Sequence, residues 1–238
     1  MNVSDNNTLR VPVSMIRGMA LLAAMTLPLM GDPLSDTFAK MDRAAAKFKA
    51  MTADVVQTAH TAIINDDSIS KGNVKFKRAK PGDTRILLEF TSPDVKFVSL
   101  EDDTGRMYIP KSRIVQEYDL RSRKNIVDQG LLLGFGATSA EIKAAYDVTW
   151  IGSEMVNGQP TEHIKLVPKS PEVRQSIKQA DLWISDATGT PLQQRLVTSA
   201  NGDYTQLTYS SVKLNPSLSD KDLKLNYPKG VSVEKVGK

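Results

Sequence analysis

The chain has no cysteine, only two histidines, and aromatics at just 6% of its 238 residues. Each shortage removes a class of chemistry. Without cysteine there is no disulfide, no thiolate nucleophile, no cysteine-held zinc and no lipobox residue to carry an anchoring lipid. His60 and His163 lie far apart, and neither has a second ligand or triad partner at a useful spacing. Both are expected to be structural or surface residues. No Gly-x-Ser-x-Gly elbow, His-Glu-x-x-His helix or phosphate-binding loop occurs. Gly134-Phe135-Gly136 lacks the third glycine of a dinucleotide fingerprint and follows no predicted strand. The acids Glu101-Asp102-Asp103 fall in a predicted turn, where they solvate the loop. The expectation is a protein that is not an enzyme and uses no metal or cofactor. Long apolar runs are missing too: none reaches the roughly 18 residues of a membrane-spanning helix. The net charge of +4 comes from lysines and arginines interleaved with acids, without the dense basic helix of a nucleic-acid binder.

What is present begins with an export pattern. Arg10 and Arg17 precede the apolar run Met19 to Leu27, which has the length of a signal-peptide core. Residues 1–31 are therefore expected to be a signal peptide, with Met15 an alternative start, and residues 32–238 a single domain delivered to the periplasm. Asp32-Pro33 has the form of a helix start, Asp as cap and Pro in the first turn. Phe38, Met41, Ala45 and Phe48 then recur at three- and four-residue intervals, predicting a helix to about Ala50 whose apolar stripe packs into the core.

From Ala53 the period becomes two. Six strands are predicted between Asp54 and Asp119, separated by turn clusters such as Asn65-Asp66-Asp67 and Ser92-Pro93-Asp94. Five more follow between Tyr146 and Leu214, joined at Asn157-Gly158, Thr188-Gly189 and Asn201-Gly202. The fold class is mainly β (α+β). About eleven strands with no repeat form a curved antiparallel sheet or unclosed barrel with helices on its inner side.

One feature suits a hollow more than a sealed core, and a second leaves both open. Period two places Val74, Phe76 and Arg78 on one strand face, and Ile86, Leu88 and Phe90 on one face of the next. Arg78 either reaches water from a strand end or points inward and bonds the carbonyls of a covering element. The second feature is the glycine-bounded apolar segment Ile126 to Phe135, between the two sets of strands. It is either a plug in the core or a lid, and Ser139 is expected to cap a short helix after it.

An ordered series of short motifs resembles the periplasmic outer-membrane lipoprotein carrier (LolA-like) family. The series runs from Met51-Thr52-Ala53-Asp54-Val55-Val56-Gln57 through Gly72–Arg78, Phe90-Thr91-Ser92-Pro93-Asp94 and Tyr108-Ile109-Pro110 to Tyr227-Pro228-Lys229-Gly230-Val231. The resemblance implies an unclosed antiparallel β-barrel covered by helices. Such a barrel binds the acyl chains of a lipoprotein and transfers them from an inner-membrane ABC transporter complex to an outer-membrane acceptor. It assigns Val74, Phe76, Ile86, Leu88 and Phe90 to the cavity wall, and Val127, Leu131, Leu132, Leu133 and Phe135 to a lid. Arg78 becomes the lid's latch. Lys75 and Leu88 stand where the family has tryptophan, which implies a softer, aliphatic hollow. The expected protein is a monomer. The alternative on the same fold is a sensor or carrier of free phospholipid or glycolipid.

Overall fold

The structure, a computed structural model, describes residues 31–80, 83–101, 103–121 and 133–236. The expected signal segment, and Val127, Leu131 and Leu132 of the expected lid, lie outside the described residues. Helix α1 (Pro33–Ala45) starts as the sequence predicts, Asp32 accepting from the Leu34 amide at 3.2 Å. It stops earlier than its apolar stripe suggests. Beyond Ala46 the backbone is claimed by the sheet: the Asn215 side chain accepts from the amides of Lys49 and Ala50, and the Arg78 amide donates to the Lys49 carbonyl. Phe48 is thereby freed from the helix and turned toward the strands.

Twelve strands follow among the described residues, one more than the sequence predicts: β1 (Ala50–Thr61), β2 (Asp66–Lys80), β3 (Asp83–Ser92), β4 (Lys96–Glu101), β5 (Thr104–Ile109), β6 (Ile114–Asp119), β7 (Tyr146–Val156), β8 (Gln159–Pro168), β9 (Gln179–Ser185), β10 (Pro191–Val197), β11 (Tyr204–Leu214) and β12 (Ser232–Val236). They form one sheet in the order β12-β6-β5-β4-β3-β2-β1-β11-β10-β9-β8-β7. The two end strands do not meet, so the barrel is unclosed. Every neighbour pair but one is antiparallel. The exception is β12, which runs parallel to β6 with Ser232 opposite Ile114. Its five residues are all exposed, so no buried face marks it in the sequence. The turn expected at Asn65-Asp66-Asp67 is shifted: Asp66 and Asp67 already pair with Thr61 and His60, and the turn falls on Ala62 to Asn65. Ile63 and Ile64 at its apex are 82% and 68% exposed.

Short helices complete the domain. Helix α2 (Ser139–Ala145) is capped by Thr138, one residue before the expected Ser139, through a reciprocal bond with Glu141. Helix α3 (Pro171–Ser176) is capped by Ser170. A 3-10 turn (Asp220–Leu223) touches β2 and β3, with Asp220 bonded to Lys77 at 2.8 Å. No described helix is long and apolar enough to cross a membrane.

The covered face of the sheet carries two apolar clusters. In one, Phe38 and Met41 of α1 and Ile142 of α2 pack on Ile164, Leu166, Leu182 and Ile184. The other gathers Met51, Val55, Val74, Phe76, Ile86, Leu88, Phe90 and Tyr209. The opposite face carries a chain of ring contacts across successive strands. His163 stacks on Trp183 at 4.2 Å, the Arg195 guanidinium lies over both Trp183 (5.4 Å) and Tyr204 (4.7 Å), and Tyr204 stacks on His60 at 4.8 Å. Carboxylates hold both ends, His60 with Asp67 and His163 with Glu154 and Asp181. Burial works to lower the pKa of His163, but its hydrogen bonds to Asp181 and Glu154 outweigh this and leave it raised. Both histidines thus serve as cross-strand links.

Candidate functional site

The five side chains expected to line a hollow come together. Val74 lies opposite Leu88 and Phe76 opposite Ile86, and Leu88 faces Val98 on the next strand. All five are buried. The hollow they border is divided. Around Val74, Phe76 and Ile86 only about 20 Å³ is open, because the ring of Phe135 occupies the space. Beyond Leu88 a cavity of about 370 Å³ remains, walled by Leu88, Phe90, Val98, Met107, Leu196 and Leu207. Leu88 and Leu207 border both parts, so removal of one ring would join them. The cavity's polar groups include Lys96 and Gln57. The Lys96 ammonium lies 4.6 Å from the Phe90 ring centre and 3.3 Å from the Gln57 oxygen.

Phe135 is held on three sides by rings. Tyr209 meets it edge-on at 5.3 Å, while Phe48 and Phe76 each lie 6.1 Å away. Leu133, two residues earlier, is buried in the other apolar cluster. One short stretch of backbone therefore spans both halves of the covered face. Gly134 and Gly136 make this possible, with φ of +86° and +70°, in the left-handed region that favours glycine. A Cβ on Gly134 would lie 2.6 Å from the ring of Pro191, so no side chain fits. The Gly-Phe-Gly sequence is a pair of backbone bends around an inserted ring.

Two side chains from the sheet grip the carbonyls on either side of that ring. Arg78 donates from Nη1 to the Gly136 carbonyl. Gln194 donates from Nε2 to the Leu133 carbonyl, and its oxygen accepts from the Tyr209 hydroxyl at 2.7 Å. Burial pushes the Tyr209 phenol well above its ordinary pKa, which keeps it a neutral donor. Past the ring, Asp42 of α1 accepts from the backbone amide and hydroxyl of Ser139 at 2.6 and 2.7 Å. The far side of the inserted segment is thus tied to the first helix.

Of the residues singled out in the sequence, the structure brings Val74, Phe76, Ile86, Leu88, Phe90, Phe135 and Arg78 into one region and places Leu133 in the neighbouring cluster. Sequence reasoning missed Gln194, Tyr209 and Phe48. The period-two argument that singled out Arg78 applies equally to Gln194, which lies between the apolar Leu192 and Leu196 on β10.

No curated protein matches the chain in sequence. Among solved structures, MucB is similar at 15% identity over 81% of this chain and 62% of its own, with a TM-score of 0.50. The chain thus spans about three-fifths of the length of MucB. An uncharacterized conserved protein from Thermus thermophilus is similar at 12% identity over 86% and 99% of the two chains, also at 0.50. A LolA superfamily protein from Nitrosomonas europaea aligns at 13% identity over 80% and 97%, at 0.41. At these identities the likeness is one of fold. The mainly β, unclosed antiparallel architecture expected from the sequence is the architecture found. Residues 132–234 match the family described as "Predicted periplasmic protein (DUF2092)", whose compartment is the one that the N-terminal segment implies.

Proposed function

We propose that the protein binds acyl chains in the periplasm and acts as a carrier. It shields the lipid part of a lipoprotein between an inner-membrane ABC transporter complex and an outer-membrane acceptor. One observation supports this above the others: an apolar cavity of about 370 Å³, continuous in its walls with a hollow that a single phenyl ring fills. That volume lies in the range of ligand sites, roughly 300–1,000 Å³. Burying hydrocarbon yields about 0.8 kcal/mol per methylene, so a chain segment of about eight methylenes supplies on the order of 6 kcal/mol. Binding and release do all the work in this reading, and no bond is made or broken. Ligand entry displaces Phe135, and the carbonyls of Leu133 and Gly136 leave Gln194 and Arg78.

A second reading keeps the lipid but makes it a signal. It is favoured by the way the inserted segment is tied to α1 through Asp42, so that displacement of the ring is passed to that helix. Native mass spectrometry of the mature protein, purified from periplasm without detergent, tests both. Bound lipopeptide or lipoprotein supports the carrier, and free phospholipid or glycolipid supports the second reading. An empty protein that also takes up no fluorescent fatty acyl probe overturns both.

A further inference from the structure

A second cavity, of about 310 Å³, lies at the other end of the domain, between α1, the turn joining β9 to β10, and the end of β11. Its walls differ in kind from those of the acyl cavity. Lys40 and Arg43 come from one face of α1, three residues apart, and Lys47 comes from the bend that follows. The facing turn supplies Asp186, and Phe48 forms part of the wall. Three cations thus meet one carboxylate. Lys40 is paired with Asp186, whereas Arg43 and Lys47 have no ion pair among the described residues. The groove is a built feature. A Cβ on Gly189 would lie 2.4 Å from the Lys40 carbonyl oxygen, so the turn and helix approach as closely as glycine allows.

Its position separates it from the acyl cavity. Thr205 at the start of β11 lines the acyl cavity and Leu214 at its end lines the groove. β11 bends between them at Ser211, whose φ is +52°, so the two residues lie less than nine extended steps, about 30 Å, apart. Between the two cavities lie the rings of Phe135, in the hollow, and Phe48, in the groove wall. A bilayer presents a broad surface, whereas this site is a groove between a helix and a hairpin turn. Carboxylates on a narrow, extended chain fit both the shape and the charge.

We propose that this groove docks an acidic peptide segment of a partner protein, with Arg43 and Lys47 receiving its carboxylates. The groove is also coupled to the acyl site. Phe48 lines the groove on one side and lies 6.1 Å from the Phe135 ring and 5.2 Å from Phe76 on the other. A Cβ on Gly136 would lie 3.0 Å from the Phe48 ring and 3.1 Å from the Arg78 guanidinium. A peptide that shifts Phe48 therefore loosens the grip on Phe135. This coupling rests on the acyl-binding reading; the docking itself does not.

Fluorescence anisotropy with a labelled ten-residue peptide of alternating Glu and Leu, beside its Gln counterpart, tests the site on the whole mature protein. The Glu peptide is expected to bind and the Gln peptide to bind at least about tenfold more weakly. Arg43→Glu with Lys47→Glu, both exposed, is expected to lose the Glu peptide by a similar factor while taking up a fluorescent acyl probe as the wild type does. In the wild type the Glu peptide speeds probe release. In Phe48→Leu it binds but no longer does so. Equal binding of the two peptides, no binding of either, or full binding to the double variant overturns the docking site. So does a double variant that keeps the peptide but loses binding to vesicles of phosphatidylcholine with phosphatidylglycerol, since the cations would then serve a membrane surface. Probe uptake without peptide binding sinks this inference and leaves the acyl reading standing. Peptide binding without probe uptake does the reverse.

Discussion

Replacing Phe135 with alanine separates two roles that one ring can have, core packing and occlusion of a binding site. The ring is 3% exposed and surrounded by Phe48, Phe76 and Tyr209. Truncating such a residue costs about 3–5 kcal/mol, and the lower end is expected because the loop bearing it can relax between two glycines. The same change joins the residual 20 Å³ to the cavity of about 370 Å³ across Leu88 and Leu207. A ligand that must expel the ring gives up about 1.5–3 kcal/mol of its burial. Removing that competition tightens binding by roughly 10- to 150-fold. The variant is therefore expected to be less stable when empty and a better binder. At ligand concentrations of about 100 times Kd it regains about 2.7 kcal/mol. Urea unfolding with and without a fluorescent acyl probe, beside a probe titration, measures both effects. A variant that is destabilised and binds the probe no more tightly than wild type refutes the reasoning, and Phe135 is then an ordinary core residue.

Three further outcomes are expected. Arg78→Leu folds but holds the inserted segment less firmly, and Gln194→Leu does the same from the other side. Because both act on carbonyls flanking one ring, a double-mutant cycle on probe release rate gives an interaction of about 0.5–3 kcal/mol, and strict additivity contradicts a shared role. His163 has a raised pKa in the folded state, so its contribution is complete below the ordinary histidine pKa of about 6.5 and is lost as pH rises through the folded value. His163→Gln should flatten the fall in thermal stability over that window, and an unchanged pH profile contradicts the link between Glu154 and Asp181. Ile63→Ser and Ile64→Ser touch only exposed side chains at a turn apex, so unfolding free energy should stay within about 0.5 kcal/mol of wild type.

The sheet was legible because its strands are short, alternate with period two and are punctuated by turn residues, as at Asn157-Gly158 and Asn201-Gly202. The faces of β2 and β3 followed from the same period, which put Val74, Phe76, Ile86, Leu88 and Phe90 on a common wall. What the period cannot show is where tertiary bonds override it. Phe48 keeps helical spacing with Phe38, Met41 and Ala45, yet Asn215, 166 residues along the chain from Lys49, accepts that amide and ends the helix's claim on the backbone. Gln194 escaped notice because a glutamine in a strand is ordinary until its partner, a carbonyl on a distant loop, is known. The strand β12 has no buried side at all, and only the exposed edge of β6 explains why Ser232–Val236 is extended.

The ring chain on the uncovered face limits how such a molecule can make room. His60, Tyr204, Arg195, Trp183 and His163 fasten five consecutive strands, β1, β11, β10, β9 and β8, side to side. Those five strands resist splaying as one, whereas β3, β4 and β5, which bring Leu88, Phe90, Val98 and Met107 to the cavity wall, lie outside the strap. On the acyl-binding reading, a guest larger than the open cavity of about 370 Å³ gains room on the strapped side by exchange, one phenyl ring out for a length of hydrocarbon in. Capacity then comes in two steps, set by whether the ring is seated, and short and long chains would be told apart by a threshold in length instead of a gradual trend.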